Sequence, residues 1–182
     1  MLRAHKRRQA RIDRQLAGAH GLEFRVLHGK DIRDELIADY FEGHRRVCSR
    51  YGGQPWLSED AYEAIVSGLR GSAMLMAYVD SGKLIAGILA LQEEGVMYLL
   101  QWSERVTLAG LALDLLCHRP IEYAIDKGIH RIDSGLAADH KRLRGWQDVP
   151  VYHAHWFAND ELRTLAEREV RNCRVPPPFA TE

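Results

Sequence analysis

Three apolar runs in the middle of the chain, separated only by short polar turns, place the strongest limit on its fold. They span residues 73–79, 84–91 and 96–102. The first two are joined by Asp80-Ser81-Gly82-Lys83, and Glu93-Glu94-Gly95 precedes the third, both of which are typical of hairpin connections. The pattern therefore predicts a three-strand antiparallel meander.

Helical and strand-like segments lie on both sides of this meander. Apolar spacing and capping residues predict helices at residues 5–19, from a cap at Asp31 to about 47, from Ser58 to 71, at 107–127 with a kink at Pro120, and from a cap at Asn159 to 170. Alternating or short apolar runs predict further strands at residues 22–27, 129–134 and 149–157. We therefore expect an α+β fold, in which helices flank a mixed central sheet.

Length and composition limit the chain to one globular domain. It has 182 residues, of which 46% are hydrophobic, enough for one core but not for two full domains. We predict a basic N-terminal helix at residues 1–20, a single domain at 21–175 and a proline-rich tail at 176–182. There is no run of about 18 apolar residues and no apolar stretch after the first positive charges, so we expect a cytoplasmic protein without a membrane span.

The cysteines and the distribution of charge further narrow the class of protein and its possible partners. Cys48, Cys117 and Cys173 are odd in number and have no Cys-x-x-Cys spacing, which predicts reduced, mostly buried thiols. Six of the 25 cations lie in the first 14 residues. Such a basic helix suits the phosphates of a nucleic acid, and a solvated helix at the edge of the domain is the alternative.

Residues 132–156, which we call the motif segment, concentrate histidines, cations and tryptophans between two predicted strands. Loops with such side chains usually carry function. The spacing of Gly135, Asp139-His140-Lys141, Arg144-Gly145, Pro150 and His155-Trp156 resembles the C-terminal signature of the peptidoglycan biosynthesis/recognition family, a FemAB-like branch of the GNAT acyltransferase superfamily. Residues 51–57, 78–91 and 121–125 resemble further segments of that family.

The resemblance implies a GNAT-like acyl-CoA N-acyltransferase fold and transfer of an acyl group to an amine. Relatives carry two GNAT-like halves, and this chain corresponds to the second half with a basic lead-in. We therefore expect self-association, with a second copy in place of the missing half. Two segments depart from the family pattern: Ala138-Asp139-His140-Lys141 stands where the family has Gly-Glu-His-Lys, and Ala112-Leu113-Asp114 stands where the family has His-Phe-Glu.

Acyl transfer to an amine needs a base and hydrogen-bond donors for the developing oxyanion. His140 is the first candidate base because imidazole titrates near neutrality, with Asp139 to orient it and Lys141 as a donor or anion clamp. Arg144 is a candidate for binding a carboxylate or phosphate. The cleft is expected between the third meander strand and the strand that ends at Ser134. Its other candidate substrate-binding residues are Glu104, Asp114, Trp102, His155 and Trp156.

Structural alternatives exist for each of these residues. Asp139, Lys141 and Arg144 also suit a surface ion network, and Trp102 and Trp156 also suit a packed core. His153 and His155, two apart on a predicted strand, can hold zinc when a third ligand joins them, for which His140 is a candidate; neutral histidines are the alternative, and we predict no metal.

The acyl donor stays open between aminoacyl-tRNA and acyl-CoA. Acetyl-CoA enzymes of this superfamily place a glycine-rich turn before the central helix, whereas residues 104–110 contain one glycine. Fem-type relatives take aminoacyl groups from tRNA, which the basic helix would suit. We therefore predict an N-acyltransferase acting on an amine of a small molecule or peptide. The alternatives are an acetyl-CoA-dependent acetyltransferase and a non-catalytic module that recognises cell-wall or peptide fragments.

Overall fold

A five-stranded mixed sheet forms the centre of the computed structural model, which describes residues 4–151 and 155–172. Its strands lie in chain order, and the first four are antiparallel. The fifth pairs with the fourth in parallel. This arrangement confirms the predicted meander and the mixed sheet. The strands are β1 (Glu23–His28), β2 (Ala73–Asp80), β3 (Lys83–Glu93), β4 (Val96–Glu104) and β5 (Arg131–Asp133).

The middle of the sheet is buried on both faces, which explains why β2 reads as a continuous apolar run. All seven residues from Ala73 to Val79 are buried. One face packs against a cluster that includes Met76, Leu111 and Leu115, and the other against a cluster that includes Ile37 and Tyr40. The buried surface of these two clusters provides the main hydrophobic stabilisation of the fold.

Helices α1 (Ala4–Gly18), α2 (Asp34–Arg50) and α3 (Glu59–Gly68) agree with the predicted segments except at their ends. The Ser58 side chain accepts a hydrogen bond from the Ala61 N–H and caps α3 as predicted. The predicted cap at Asp31 is wrong, because Gly29–Asp31 form a 3-10 turn and α2 begins at Asp34.

The central helix consists of α4 (Leu111–Leu113), a π-helical turn (Asp114–His118) and α5 (Arg119–Lys127). It begins later than the predicted residue 107. We predicted a kink at Pro120, and the structure has a widened π-helical turn just before it. Pro120 therefore lies in the first turn of α5, where its missing N–H needs no partner. Gly128, with φ of 66°, ends the helix as predicted.

The contacts divide the chain into two compact units, Met1–Trp146 and Gln147–Glu182. The predicted domain boundaries at residues 20 and 175 differ from this division and stay a prediction. In the first unit, α1 packs on the sheet domain with Ala17 in the core. The motif segment contains a short helix, α6 (Asp139–Arg142), where we expected only a loop.

The second unit contains α7 (Asp160–Asn172), and the predicted cap is confirmed because Asn159 Oδ1 accepts a hydrogen bond from the Leu162 N–H. The predicted strand at residues 149–157 is wrong for its described parts, 149–151 and 155–157, which are not in a sheet. Val149, Val151 and Trp156 are exposed, and alternating apolar residues form a strand only where a sheet edge pairs with them. Among the described residues, none of the helices combines the length and apolar character needed to cross a bilayer.

Candidate functional site

The strands β4 and β5 stay paired over only three residues. Val96, Met97 and Tyr98 pair with Arg131, Ile132 and Asp133, and β4 then continues to Glu104. The register between β3 and β4 shifts between Ile88 and Ala90, which places a bulge at residues 100–101 of β4, beyond the last pair with β5. Within the described residues, β5 pairs with β4 only as far as Tyr98 and leaves residues 99–104 of β4 without a paired strand on that edge.

Helix α2 fixes the far end of β4. The Tyr40 hydroxyl donates to the Gln101 carbonyl at 2.6 Å, and His44 Nδ1 donates to the Trp102 carbonyl at 3.0 Å. Ser103 Oγ in turn donates to the Tyr40 carbonyl at 2.7 Å. This close packing holds the strand end in one position. Sequence reasoning missed Tyr40 and His44, and their only signal was a helical spacing that core residues share.

Glu104 lies at the end of β4, where we expected it beside the substrate. The structure buries it at 2% exposure and pairs it with Arg50 Nη1 at 2.9 Å. Arg50 also donates to Thr107 Oγ1 at 2.8 Å. The carboxylate is thus already neutralised by the last residue of α2, and Arg50 is a second residue that the sequence did not point out.

Asp114 also lies inside the protein, at 1% exposure. The Tyr78 hydroxyl and Arg119 Nε, the latter at 3.0 Å, donate to its Oδ2 atom. Burial, followed by the hydrogen bond to Asp114, raises the pKa of Tyr78 to about 12. The aspartate therefore belongs to an internal ion network between the sheet and the central helix.

Two cations of the motif segment hold the chain together. Lys141 Nζ donates to the carbonyl oxygens of Ser134 and Leu136, the latter at 2.9 Å. Arg144 donates through Nε and Nη2 to Asp13 Oδ2, at 3.2 and 2.8 Å. Asp13 is 3% exposed and receives His118 Nε2 at 3.3 Å as well. Arg144 therefore ties α1 to the motif segment through a carboxylate of the same chain.

Hydrogen bonds outweigh the effect of burial on the pKa of Asp13. Burial raises the pKa of its carboxyl, but hydrogen bonds from Gln9, Arg144 and His118 outweigh that effect and leave the pKa below its usual value. The group is therefore ionised in the folded protein at neutral pH.

His140 and Asp139 lie on the exposed side of α6. Partial burial, together with the nearby charges of Lys141 and Arg144, lowers the pKa of His140. Asp139 pairs with Arg142 at 2.7 Å. The imidazole is thus neutral at pH 7, as a proton acceptor must be.

Helix α1 covers the turn that precedes the central helix. Gly110 has φ of 81°, and a Cβ on it would come within 2.6 Å of the Asp13 carbonyl oxygen and 2.8 Å of Leu16 Cβ. His20 Nε2 donates to the Ala109 carbonyl at 3.0 Å. The face of the turn around Gly110 is therefore filled by the protein itself.

Comparison with known proteins identifies the family. Residues 1–174 match the FemAB-like family model, which is described as peptidoglycan biosynthesis/recognition. The chain belongs to the FemAB-like family. No protein among the curated sequences matches it.

Several solved acetyltransferase structures are similar in fold to this chain. An aminoglycoside acetyltransferase from an uncultured soil metagenomic sample, in complex with sisomicin, is 10% identical, with 78% of this chain and 99% of that chain covered and a TM-score of 0.50. Aminoglycoside N-acetyltransferase AAC(6')-Iy in complex with CoA is 14% identical, with coverage of 76% and 95% and a TM-score of 0.49. The ribosomal-protein-alanine N-acetyltransferase of Brucella melitensis biovar Abortus 2308 is 13% identical, with coverage of 74% and 99% and a TM-score of 0.46.

The predicted FemAB-like resemblance and the GNAT-like fold are thus confirmed. Family and fold together support an N-acyltransferase. At such low identity, the structural likeness concerns the fold alone.

The remaining predicted site residues of this FemAB-like chain belong to both units. Trp102 is partly buried against the core of the first unit. Trp156, 82% exposed, and His155 belong to the second unit. His153 lies outside the described residues, and His155 is not on a strand. Among the described side chains, no three histidine, cysteine or acidic residues are grouped closely enough to hold a metal ion.

Proposed function

We propose that this chain is an N-acyltransferase that moves an aminoacyl group from aminoacyl-tRNA to an amine of a small molecule or peptide. The observation that carries the proposal is the unpaired edge of β4 beside β5. Backbone N–H groups along such an edge are fixed donors for the oxygen of a carbonyl under attack. The two strands part after Tyr98, and the bulge of β4 lies just beyond this point, at residues 100–101.

His140 is the proposed base. Its lowered pKa keeps the imidazole neutral at pH 7, so it can accept the proton that the amine loses as it attacks. Lys141 acts by positioning, because its two carbonyl partners hold the segment between β5 and α6. Asp139, which pairs with Arg142, supplies negative charge at the start of α6.

The cover over Gly110 supports a tRNA donor. In enzymes that use acyl-CoA, backbone N–H groups at the start of the central helix bind the pyrophosphate. Here Asp13 and Leu16 lie against Gly110, and His20 bonds the Ala109 carbonyl of the same turn. Arg8 and Arg11 of α1 stay exposed and are suited to the phosphates of an RNA.

A donor assay tests this proposal. We expect transfer of the aminoacyl group from aminoacyl-tRNA to a peptidoglycan-derived amine. The Arg8→Ala/Arg11→Ala double variant should have a higher KM for the tRNA. Removing two phosphate contacts should also make binding less dependent on salt concentration. The matched control is Arg168→Ala/Arg171→Ala, which removes two exposed cations from α7 and should leave the KM unchanged.

Two other outcomes would contradict the proposed donor and activity. Turnover of acetyl-CoA, with a melting temperature that rises on addition of CoA, would assign the chain to the acetyl-CoA-dependent enzymes. Binding of peptidoglycan fragments without turnover of either donor would assign it to the recognition modules.

We also propose that two copies associate, the second taking the place of the other GNAT half in two-domain relatives. Exposed apolar side chains in the second unit, among them Val149, Val151 and Trp156, support this proposal. Light scattering should give the mass of a dimer. A monomer at tens of micromolar protein would contradict the association.

A further inference from the structure

A histidine and a cysteine, one helical turn apart on α2, form a nucleophile and base pair. His44 is 4% exposed, and because its Nδ1 donates to the Trp102 carbonyl, its Nε2 carries the lone pair. Cys48 Sγ lies 3.5 Å from that Nε2 and donates its S–H to it. The imidazole is therefore oriented by the backbone of β4 and directed at the thiol, which is the arrangement that activates a nucleophile.

A buried hydroxyl without a partner lies beside this pair. Tyr62 of α3 is 1% exposed, and its hydroxyl has no hydrogen-bond partner within the described structure. Its ring meets the His44 ring edge-on at 5.9 Å, and burial, followed by the smaller effect of nearby Cys48, raises the pKa of Tyr62 to about 12. Buried hydroxyls in folded proteins normally have a partner, so this one points to an oxygen that a ligand supplies.

Tyr40 provides the contrast within the same layer. It packs against Tyr62 with ring centroids 5.5 Å apart, and its hydroxyl donates to the Gln101 carbonyl. One phenol therefore fixes the strand, and the other is left for a molecule that enters the cluster. We call Tyr40, His44, Cys48 and Tyr62 the strand-end cluster.

We propose that Cys48 is an acyl-accepting thiol, with His44 as its base and the Tyr62 hydroxyl as the donor to the developing oxyanion. The substrate class is a carboxylic ester or thioester with a good leaving group. The proposal deepens the proposed acyltransferase function and rests on it.

The step balances without an oxidant or a metal. The thiol proton passes to His44 Nε2 as sulfur attacks the carbonyl carbon, and Tyr62 donates to the oxyanion. The C–O or C–S bond to the leaving group then breaks, and this group departs with the proton from His44. The products are S-acyl-Cys48 and an alcohol or thiol.

Exposure separates Cys48 from Cys117. Burial raises the pKa of both thiols, so each stays protonated at neutral pH and needs a base to react. Cys48 is half-buried, whereas Cys117 is fully enclosed. Cys117 is therefore an internal control in the same molecule.

The test uses p-nitrophenyl acetate on the full chain, with no tRNA and no amine present. We expect rapid release of p-nitrophenol and one acetyl group, mapped to Cys48 by peptide mass spectrometry. His44→Asn keeps a donor for the Trp102 carbonyl but removes the base, and it should slow the reaction by about a hundredfold. Tyr62→Phe should slow it by a similar factor of about a hundred, since one oxyanion donor is lost.

Controls make the outcome decisive. Cys48→Ala should abolish the label, and Tyr123→Phe, which removes a tyrosine hydroxyl elsewhere, should leave the rate unchanged. If His44→Asn does not fold, Tyr62→Phe still carries the test, because it removes only an unpartnered hydroxyl. Equal labelling of Cys48 and Cys117, or wild-type rates in both His44→Asn and Tyr62→Phe, would overturn the proposal. Because this assay needs neither tRNA nor amine, its result is independent of the donor assay above.

Discussion

The motif segment and the strand-end cluster differ in how their polar groups are used. In the motif segment, Lys141 is bound to two carbonyls and Arg144 to Asp13, so cations that look catalytic in the sequence hold α1 and a loop in place. In the strand-end cluster, a thiol faces a base, and a buried hydroxyl has no hydrogen-bond partner among the residues that the structure describes. A concentration of reactive residue types in a sequence thus does not show which of them remain available for chemistry.

The largest expected loss of stability comes from breaking the ion pair between Asp13 of α1 and Arg144 of the motif segment. Asp13→Asn would leave Arg144 and His118 facing a neutral amide inside the protein. Loss of one partner from such a buried pair costs about 3 kcal/mol of unfolding free energy. Urea denaturation at pH 7 should show a lower midpoint with an unchanged slope.

Asp126→Asn is the control for this change, since it removes an exposed carboxylate on the surface of α5 and should leave stability unchanged. A loss in Asp13→Asn no greater than in this control would mean that the pairing with Arg144 does not hold α1.

The ion pair between Asp13 and Arg144 also predicts how the free energy of unfolding depends on pH. The pKa of Asp13 is lower in the folded chain than its usual value of 3.8, so its stabilising contribution is fully present above pH 3.8. The contribution is lost as the pH falls through the folded pKa. The difference in unfolding free energy between the wild type and Asp13→Asn should therefore be constant near neutrality and shrink in strong acid. A difference that grows in acid would contradict the assignment.

A pair of glycines isolates the packing of α1 over the turn. Gly110 and Gly128 both have positive φ, but only at Gly110 would a Cβ meet α1. Gly110→Ala should cost about 2 kcal/mol and Gly128→Ala about 1 kcal/mol, since the second pays only for backbone strain. Thermal unfolding of both variants measures the difference. Equal losses would show that α1 does not press on the turn.

The smallest expected change in stability is the difference between removing the hydroxyl of Tyr40 and removing that of Tyr62, the two buried tyrosines of the strand-end cluster. Tyr40→Phe loses a hydrogen bond to Gln101 and should cost about 1 kcal/mol. Tyr62→Phe removes a hydroxyl without a partner and should leave stability equal or slightly higher. If Tyr62→Phe proved as costly as Tyr40→Phe in urea denaturation, its hydroxyl would have a structural partner.

Local patterns sufficed for much of the fold. The apolar runs of β2, β3 and β4 and the caps at Ser58 and Asn159 are set by neighbours in the sequence. The strand predicted at residues 149–157 was wrong because a strand must pair with the edge of a sheet, and an alternating sequence does not show whether such an edge is available. The π-helical turn before Pro120 likewise depends on packing around the central helix.

The site was less accessible to sequence reasoning. The importance of Arg144 was visible, but its partner Asp13 is 131 residues away in the chain, and no local pattern predicts that contact. The pairing of His44 with Cys48 has the i, i+4 spacing of any helix face. Only the close packing of α2 on β4 orients that histidine and gives the spacing a chemical meaning.

The pH profile of kcat/KM for aminoacyl transfer, measured for the wild type and His140→Gln, tests the proposed base most directly. Because the pKa of His140 is lowered, the wild-type rate should fall only below about pH 6.5. His140→Gln should retain about a hundredth of the rate or less and lose that acid limb. Full activity with an unchanged profile in the variant would contradict the account.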